Sequence, residues 1–186
     1  MRIERVYEED AARLLEIYAH YVKKTAISFE DEIPSVDEFA ERIRKISTKY
    51  PYIKAVDNKG EFLGYAYAGS FKTRSAYNWS VETTIYVKYN CRHLGVGRTL
   101  YEVLEKSLRE MGVLNLNACI AYTSNPDEYL TNDSMFFHQK LGYELVGTFH
   151  KCGYKFNKWY DMIWMEKSIG NHGINQPDVK FGEWTI

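Results

Sequence analysis

The chain has 186 residues, is 45% apolar and carries a formal net charge of −1 at pH 7. That length fits one domain with a real core, the apolar share excludes a disordered chain, and the near-neutral charge excludes broad binding to nucleic-acid phosphates. Three scattered cysteines, Cys91, Cys119 and Cys152, offer no zinc-ligand spacing, so reduced thiols and no metal are expected.

In chain order, Met1-Arg2-Ile3-Glu4-Arg5 is charged where a signal peptide needs an apolar run, and no stretch approaches a membrane span. A cytoplasmic protein without a membrane partner is the expectation. Residues 2–7 read as a short strand. Asp10 is placed to cap a helix over about 11–23 whose buried side carries Leu14, Ile17, Tyr18 and Tyr21. The irregular segment Thr25–Pro34 reads as a packed connector rather than a lid. Ser35-Val36-Asp37-Glu38 is a capping box, and Val36, Phe39, Ile43 and Ile46 give the second helix its apolar face. Tyr52–Val56 and Phe62–Ser70 read as a hairpin turning at Asp57-Asn58-Lys59-Gly60.

Phe71–Asn78 is polar and basic. It suits either a carboxylate holder or a solvated hairpin loop. A strand over about 79–88 then runs through a turn into a helix over about 95–111. In that helix Val96, Leu100, Val103, Leu104, Leu108 and Met111 form one stripe, and Gly112 supplies the stop. Val113–Ala121 reads as a strand, Met135–Leu141 as a helix, and Tyr143–Phe149 and Trp159–Lys167 as two strands linked by 151–158. The last residues, 170–186, lack periodicity and read as an extension laid on the surface. This order of elements implies a mixed-sheet α/β domain.

The stretch from Val81 to Arg98 carries the chemistry. A strand, a turn with Gly95 and Gly97, and a helix N-terminus together leave backbone N–H groups facing outward, which attracts an anion. The Walker pattern fails because no Lys-Ser or Lys-Thr follows a suitable glycine pair. The Rossmann pattern fails because Leu100 stands where its third glycine belongs. What remains is R-x-x-G-x-G: Arg92, Gly95, Gly97.

Arg92-His93-Leu94-Gly95-Val96-Gly97 resembles the acetyl-CoA pyrophosphate loop of the GCN5-related N-acetyltransferases (GNAT). Val81–Val87, His138–Tyr143, Gly153–Asp161, Thr25–Phe29 and Lys72–Tyr77 resemble the phosphinothricin acetyltransferase-like branch, over about residues 1–168. The resemblance implies a GNAT fold: a mixed, mostly antiparallel central sheet, splayed at the acetyl-CoA site and flanked by helices. It divides the chain into a domain over 1–168 and an extension over 169–186.

It also implies site residues. Backbone groups of Ile85, Tyr86 and Val87 would pair with pantetheine, and the turn Arg92, His93, Leu94, Gly95, Val96, Gly97 and Arg98 would hold pyrophosphate. Asn132 and Ser134 would contact the cofactor at the next helix start; the family's Asn position, three residues before the Ser, holds Thr131 here. Glu82, by itself an exposed strand glutamate, matches the family's base. His138 stands where many relatives carry a tyrosine and is a candidate acid, second base or orienter. Phe29, Lys72, Arg74, Tyr77 and Tyr154 would line the acceptor pocket, which the branch commonly completes across a homodimer. The implied activity is acetyl transfer to a small amino-acid-like amine of the phosphinothricin, methionine sulfone or methionine sulfoximine type. A protein or peptide acetyltransferase and a non-catalytic acetyl-CoA-binding module are the alternatives.

Overall fold

The computed structural model describes all residues, 1–186. Seven strands, β1 (Arg2–Arg5), β2 (Tyr52–Val56), β3 (Phe62–Ser70), β4 (Ser80–Val87), β5 (Asn115–Tyr122), β6 (Glu144–Lys155) and β7 (Lys158–Ser168), form one sheet in the order β1-β2-β3-β4-β5-β7-β6. Every pairing is antiparallel except β4 with β5, which is parallel. Four helices flank it: α1 (Ala11–Lys24), α2 (Val36–Ser47), α3 (Val96–Met111) and α4 (Asp133–Lys140). This is the mixed, mostly antiparallel α/β architecture the sequence implies. No helix is long and apolar enough to cross a membrane.

Strand alternation sends small side chains one way and large ones the other. Ala66 and Ala68 of β3 and Val81 of β4 meet Leu100, Leu104 and Leu108 of α3 in one core. Tyr65 of β3 and Tyr52 of β2 meet Leu14, Ile17, Tyr18, Phe39 and Ile43 of α1 and α2 in a second core on the opposite face.

The local signals behave as their chemistry requires, with three differences. The capping box of α2 forms, with Glu38 N donating to Ser35 Oγ at 3.2 Å and Ser35 N to Glu38 Oε2 at 2.7 Å. Asp10, expected to cap α1, does not. Its carboxylate instead accepts from Tyr7 N and pairs with the buried Lys54 ammonium, a charge that needs a partner inside the protein.

The last two strands run further than expected. They extend to Lys155 and Lys158 and turn on Phe156–Asn157, whose φ values of 51° and 58° give the primed turn that strand twist favours.

The C-terminal segment, though without regular structure, is bound into the main core rather than resting on it. Lys180 N donates to Met111 O at 2.9 Å and Gly182 N to Lys49 O at 3.0 Å. Val179 and Trp184 are buried, and the Arg5 guanidinium stacks 3.9 Å from the centre of the Trp184 ring. Burial of Trp184, which no periodicity announced, explains the difference.

Candidate active site

β4 and β5 pair only where Ser80–Glu82 face Asn115–Asn117; beyond that point they part. Thr83 Oγ1 donates to Asn117 O at 3.2 Å at the apex of the opening, and Asn117 Nδ2 donates to Val81 O at 3.1 Å. On the other edge of β4, Lys88 N donates to Leu63 O of β3 at 2.8 Å. Backbone polar groups alternate sides along a strand, so Ile85 and Val87 aim theirs at the opened edge and Tyr86 aims its own at β3. Tyr86 was expected to pair with a ligand through its backbone. Its polar groups are committed to the sheet, and its ring packs on Tyr18 and Tyr21.

The opening continues into a cavity of about 930 Å³ between the start of α3 and α4. Ile85, Val87, Arg92, His93, Gly95, Gly97, Arg98 and Ser134 line it. So does Thr131, which the sequence places at the family's Asn position, and so do Tyr21, Ile27, Asp133, Phe137 and Leu141, which sequence reasoning did not assign. Ser134, Phe137 and Leu141 repeat at helical spacing on one face of α4, a signal that was available. Tyr21 reads as a core residue of α1, and it is one; its hydroxyl nonetheless reaches Val87 O. The connector after α1 is packed, with Ala26 fully buried, yet its Ile27 also walls the cavity.

Besides Tyr86, three residues expected at the cofactor turn their side chains away from the lining, although the backbone N–H groups expected of Leu94 and Val96 stay in the turn. Leu94 projects outward, 71% exposed. Val96 turns into the α3 core. Asn132 spends its amide on the end of β5, with Nδ2 donating to Thr123 O at 2.9 Å and Oδ1 accepting from Thr123 N at 3.3 Å.

The start of α3 is built for an anion. Gly95 sits at φ 83° with no side-chain cap, and no acidic residue stands in the first turn. The first helical bond is Thr99 N to Gly95 O, which leaves the N–H groups of Val96, Gly97 and Arg98 without helical acceptors. The two glycines serve different needs. A side chain at Gly95 would meet only open space, but its left-handed backbone favours glycine; a Cβ at Gly97 would lie 3.2 Å from the Phe137 ring. Arg92 pairs with Asp133 at 2.8 Å, and Arg98 is exposed beside Glu102.

Glu82 occupies the opposite sheet face, at the last paired position of β4 before the strands part. Burial pushes its carboxyl above the ordinary glutamate range, and the nearby Lys72 ammonium opposes that shift. Cys119, two residues past Glu82's partner Asn117 and so on the same face, has its thiol pushed up to about 12 by burial, with Glu82 adding to the effect.

His138, a candidate acid or base, is enclosed. It is 2% exposed and does not line the cavity. Its Nδ1 donates to Ser134 O at 2.7 Å, and Tyr101 OH donates to Nε2 at 3.0 Å. Burial holds its pKa down at about 4, against the hydrogen bond to Ser134. Both nitrogens are engaged, and the ring is wedged among Tyr101, Phe137 and Tyr143.

The expected acceptor residues come from three segments: the loop after α1, the turn after β3 and the β6–β7 hairpin. Phe29 packs on Gly153, where a Cβ would lie 2.4 Å from its ring. Lys155 Nζ fastens the same loop by donating to Val22 O, Ser28 O and Glu30 O, each at 2.7 Å. Lys72 lies over Phe71 at 4.8 Å and Trp164 at 5.5 Å. Arg74 and Tyr77 are exposed on a short turn, and Tyr154 stacks near Trp159 toward the tip of the β6–β7 hairpin.

Known proteins share this arrangement. The family described as "Acetyltransferase (GNAT) domain" matches residues 3–164. A phosphinothricin N-acetyltransferase of Streptomyces viridochromogenes is 34% identical over 160 residues, 86% of this chain and 83% of that protein. An L-methionine sulfoximine/L-methionine sulfone acetyltransferase of Pseudomonas aeruginosa is 29% identical over 161 residues, 86% of this chain and 90% of the relative. The crystal structure of a GNAT superfamily phosphinothricin acetyltransferase from Sinorhizobium meliloti in complex with AcCoA superposes with a TM-score of 0.85 at 29% identity, covering 96% of this chain and 93% of that one. The chain therefore belongs to the GNAT acetyltransferase family, in its phosphinothricin acetyltransferase-like branch, and is an N-acetyltransferase.

Proposed function

We propose that the enzyme moves the acetyl group of acetyl-CoA to the primary amine of a small amino-acid-like molecule, of the phosphinothricin, methionine sulfone and methionine sulfoximine type, with Glu82 as general base. The observation that carries this reading is the position of Glu82 at the last β4–β5 pair, where the cavity edge begins. Acetyl-CoA supplies the activated acyl group and a thiolate leaving group. The free N–H groups of Val96, Gly97 and Arg98, with the charges of Arg92 and Arg98, suit its pyrophosphate. The edge of β4 at Ile85 and Val87, which no strand covers and where only Val87 O is engaged, by the Tyr21 hydroxyl, suits the pantetheine amides.

An amine is mostly ammonium near neutral pH and must lose a proton before it attacks. The Glu82 carboxylate accepts that proton, directly or through water. Its raised proton affinity brings it closer to neutral pH, where a base works best. His138 stays neutral and holds the α4 turn that presents Ser134.

A small acceptor is favoured over a peptide by the fastened loop. Phe29 against Gly153, and Lys155 against two loop carbonyls and one of α1, close one end of the face above Glu82, where an extended chain needs an open groove. A second copy of the chain is the partner read for the edge hairpin, where Leu145, Val146, Phe149 and Trp159 are each more than half exposed. Three unpaired cysteines suit a cytoplasmic setting.

The test is thiol release from acetyl-CoA against phosphinothricin, methionine sulfone, methionine sulfoximine and a lysine peptide. Turnover with the small amines and none with the peptide is expected. Release with the peptide alone would reverse the acceptor reading.

A further inference from the structure

The residue that faces Glu82 across the sheet is Gly69 of β3. Most structural demands for glycine are absent there. Its φ is not in the left-handed region, and an added Cβ would meet no atom within 4 Å. Gly64, on the same strand, differs: a Cβ there would lie 2.8 Å from Tyr86 O. Glycine inside a strand also loses more chain entropy on folding than alanine does. Neither backbone nor packing explains Gly69, and its cost falls beside the one carboxylate at the opening of the sheet.

The surroundings make that emptiness a bounded space. Tyr67 flanks it along β3, and Cys119 lies on the far side of Glu82 with Trp164 as its β7 partner. Phe71 contacts Trp164 at 5.5 Å between ring centres, and the Lys72 ammonium lies over both rings. An amine delivered to Glu82 from this face must put its other substituents somewhere, and the space over Gly69 is the open direction.

We propose that Gly69 determines acceptor specificity: the space left by its missing side chain receives the side chain of an α-substituted primary amine whose nitrogen is at Glu82. This rests on the reading of Glu82 as the base of a small-amine acetyltransferase. Gly69 touches substrate through its bare backbone and takes no part in proton transfer. A methyl group at this position fills the space without displacing protein atoms, so it excludes bulky acceptors and spares small ones.

The test compares the wild type with Gly69→Ala and Gly69→Val on a graded set: glycine, alanine, methionine sulfone and phosphinothricin. Thermal melting and acetyl-CoA binding serve as controls. Gly69→Ala is expected to melt no lower than the wild type and to bind acetyl-CoA equally. Its kcat/KM for the two bulky acceptors is expected to fall at least tenfold relative to its kcat/KM for the smallest acceptor the wild type uses, through KM. Gly69→Val should widen the gap. An equal change for every acceptor, or none, overturns the proposal, and Gly69→Ala carries that decision if Gly69→Val fails to fold. Wild-type protein inactive on every amine removes the underlying reading and this proposal with it. Wild-type turnover without a size-dependent loss removes this proposal alone.

Discussion

Thr83 and Asn117 are joined at the point where β4 leaves β5, with Thr83 Oγ1 donating to Asn117 O at 3.2 Å. Tyr143 OH donates in turn to Thr83 Oγ1 at 3.1 Å, inside a buried group that includes Tyr101 and His138. Glu82 is the residue just before Thr83. The bond therefore defines both where the sheet opens and where the carboxylate stands.

Thr83→Val keeps the branched shape that a strand prefers but removes the hydroxyl. It leaves the Tyr143 hydroxyl and the Asn117 carbonyl short of a partner in a buried place, which costs about 1–3 kcal/mol. Urea unfolding is expected to show a loss in that range, together with reduced turnover. Unchanged stability would mean that the opening is held by the strands alone.

Glu82→Gln is expected to lower kcat by roughly 10²–10⁴, the usual contribution of a general base, with acetyl-CoA affinity kept. The wild-type rate should climb as pH rises through the raised Glu82 pKa, and the variant should lose that limb. Stability changes with the opposite sense. A carboxyl raised by burial favours the folded state fully below its unfolded pKa, and the advantage disappears as pH rises through the folded value. Glu82→Gln should thus melt higher than the wild type near pH 7 and lose that margin near pH 4. Differential scanning calorimetry at the two pH values measures it.

His138 carries the reverse sign. Its pKa falls from 6.5 to about 4 on burial. The stability linked to its neutral form is complete above the unfolded value and is lost as pH falls from about 6.5 toward 4, on the order of 3 kcal/mol in all. His138→Gln should flatten the stability curve across that window. The pH–rate profile between 6 and 8 should keep its shape, since the ring does not titrate there. A lost rate limb in this variant would return His138 to the proton-transfer chemistry.

Gly97→Ala places a methyl group 3.2 Å from the Phe137 ring, which lines the cavity and must give way. Acetyl-CoA affinity is expected to drop about tenfold, near 1.4 kcal/mol. Calorimetric titration checks it; unchanged affinity would show that Phe137 has room to yield elsewhere.

Trp184→Ala removes a buried ring stacked under Arg5, and a large-to-small change of this kind costs about 3 kcal/mol. Chemical denaturation should show a single transition shifted to lower denaturant. Wild-type stability in the variant would return the C-terminal segment to the loose extension that its sequence suggests.

Local chemistry was legible before any tertiary contact was known. The stripe from Val96 to Met111, the stop at Gly112 and the box at Ser35 and Glu38 depend on residues a few positions apart, and the helices form as read. The strand, turn and helix start around Gly95 were legible for the same reason, since they are contiguous in the chain. Burial and register are not local, and they decided the rest. Asp10 looked like a cap until Lys54 of a distant strand claimed its carboxylate. His138 was identifiable as a histidine on a helix, but only packing against Tyr101, Phe137 and Tyr143 makes it neutral and inaccessible. Trp184 gave no periodic signal because its partner Arg5 lies in β1, at the other end of the chain. The acceptor side as proposed rests on two relationships that no local pattern encodes: Gly69 facing Glu82 through strand register, and Phe29 lying on Gly153 through the fold of a loop against a hairpin. A helix terminus is specified by neighbours along the chain, whereas an empty space beside a carboxylate exists only once distant strands have been brought together.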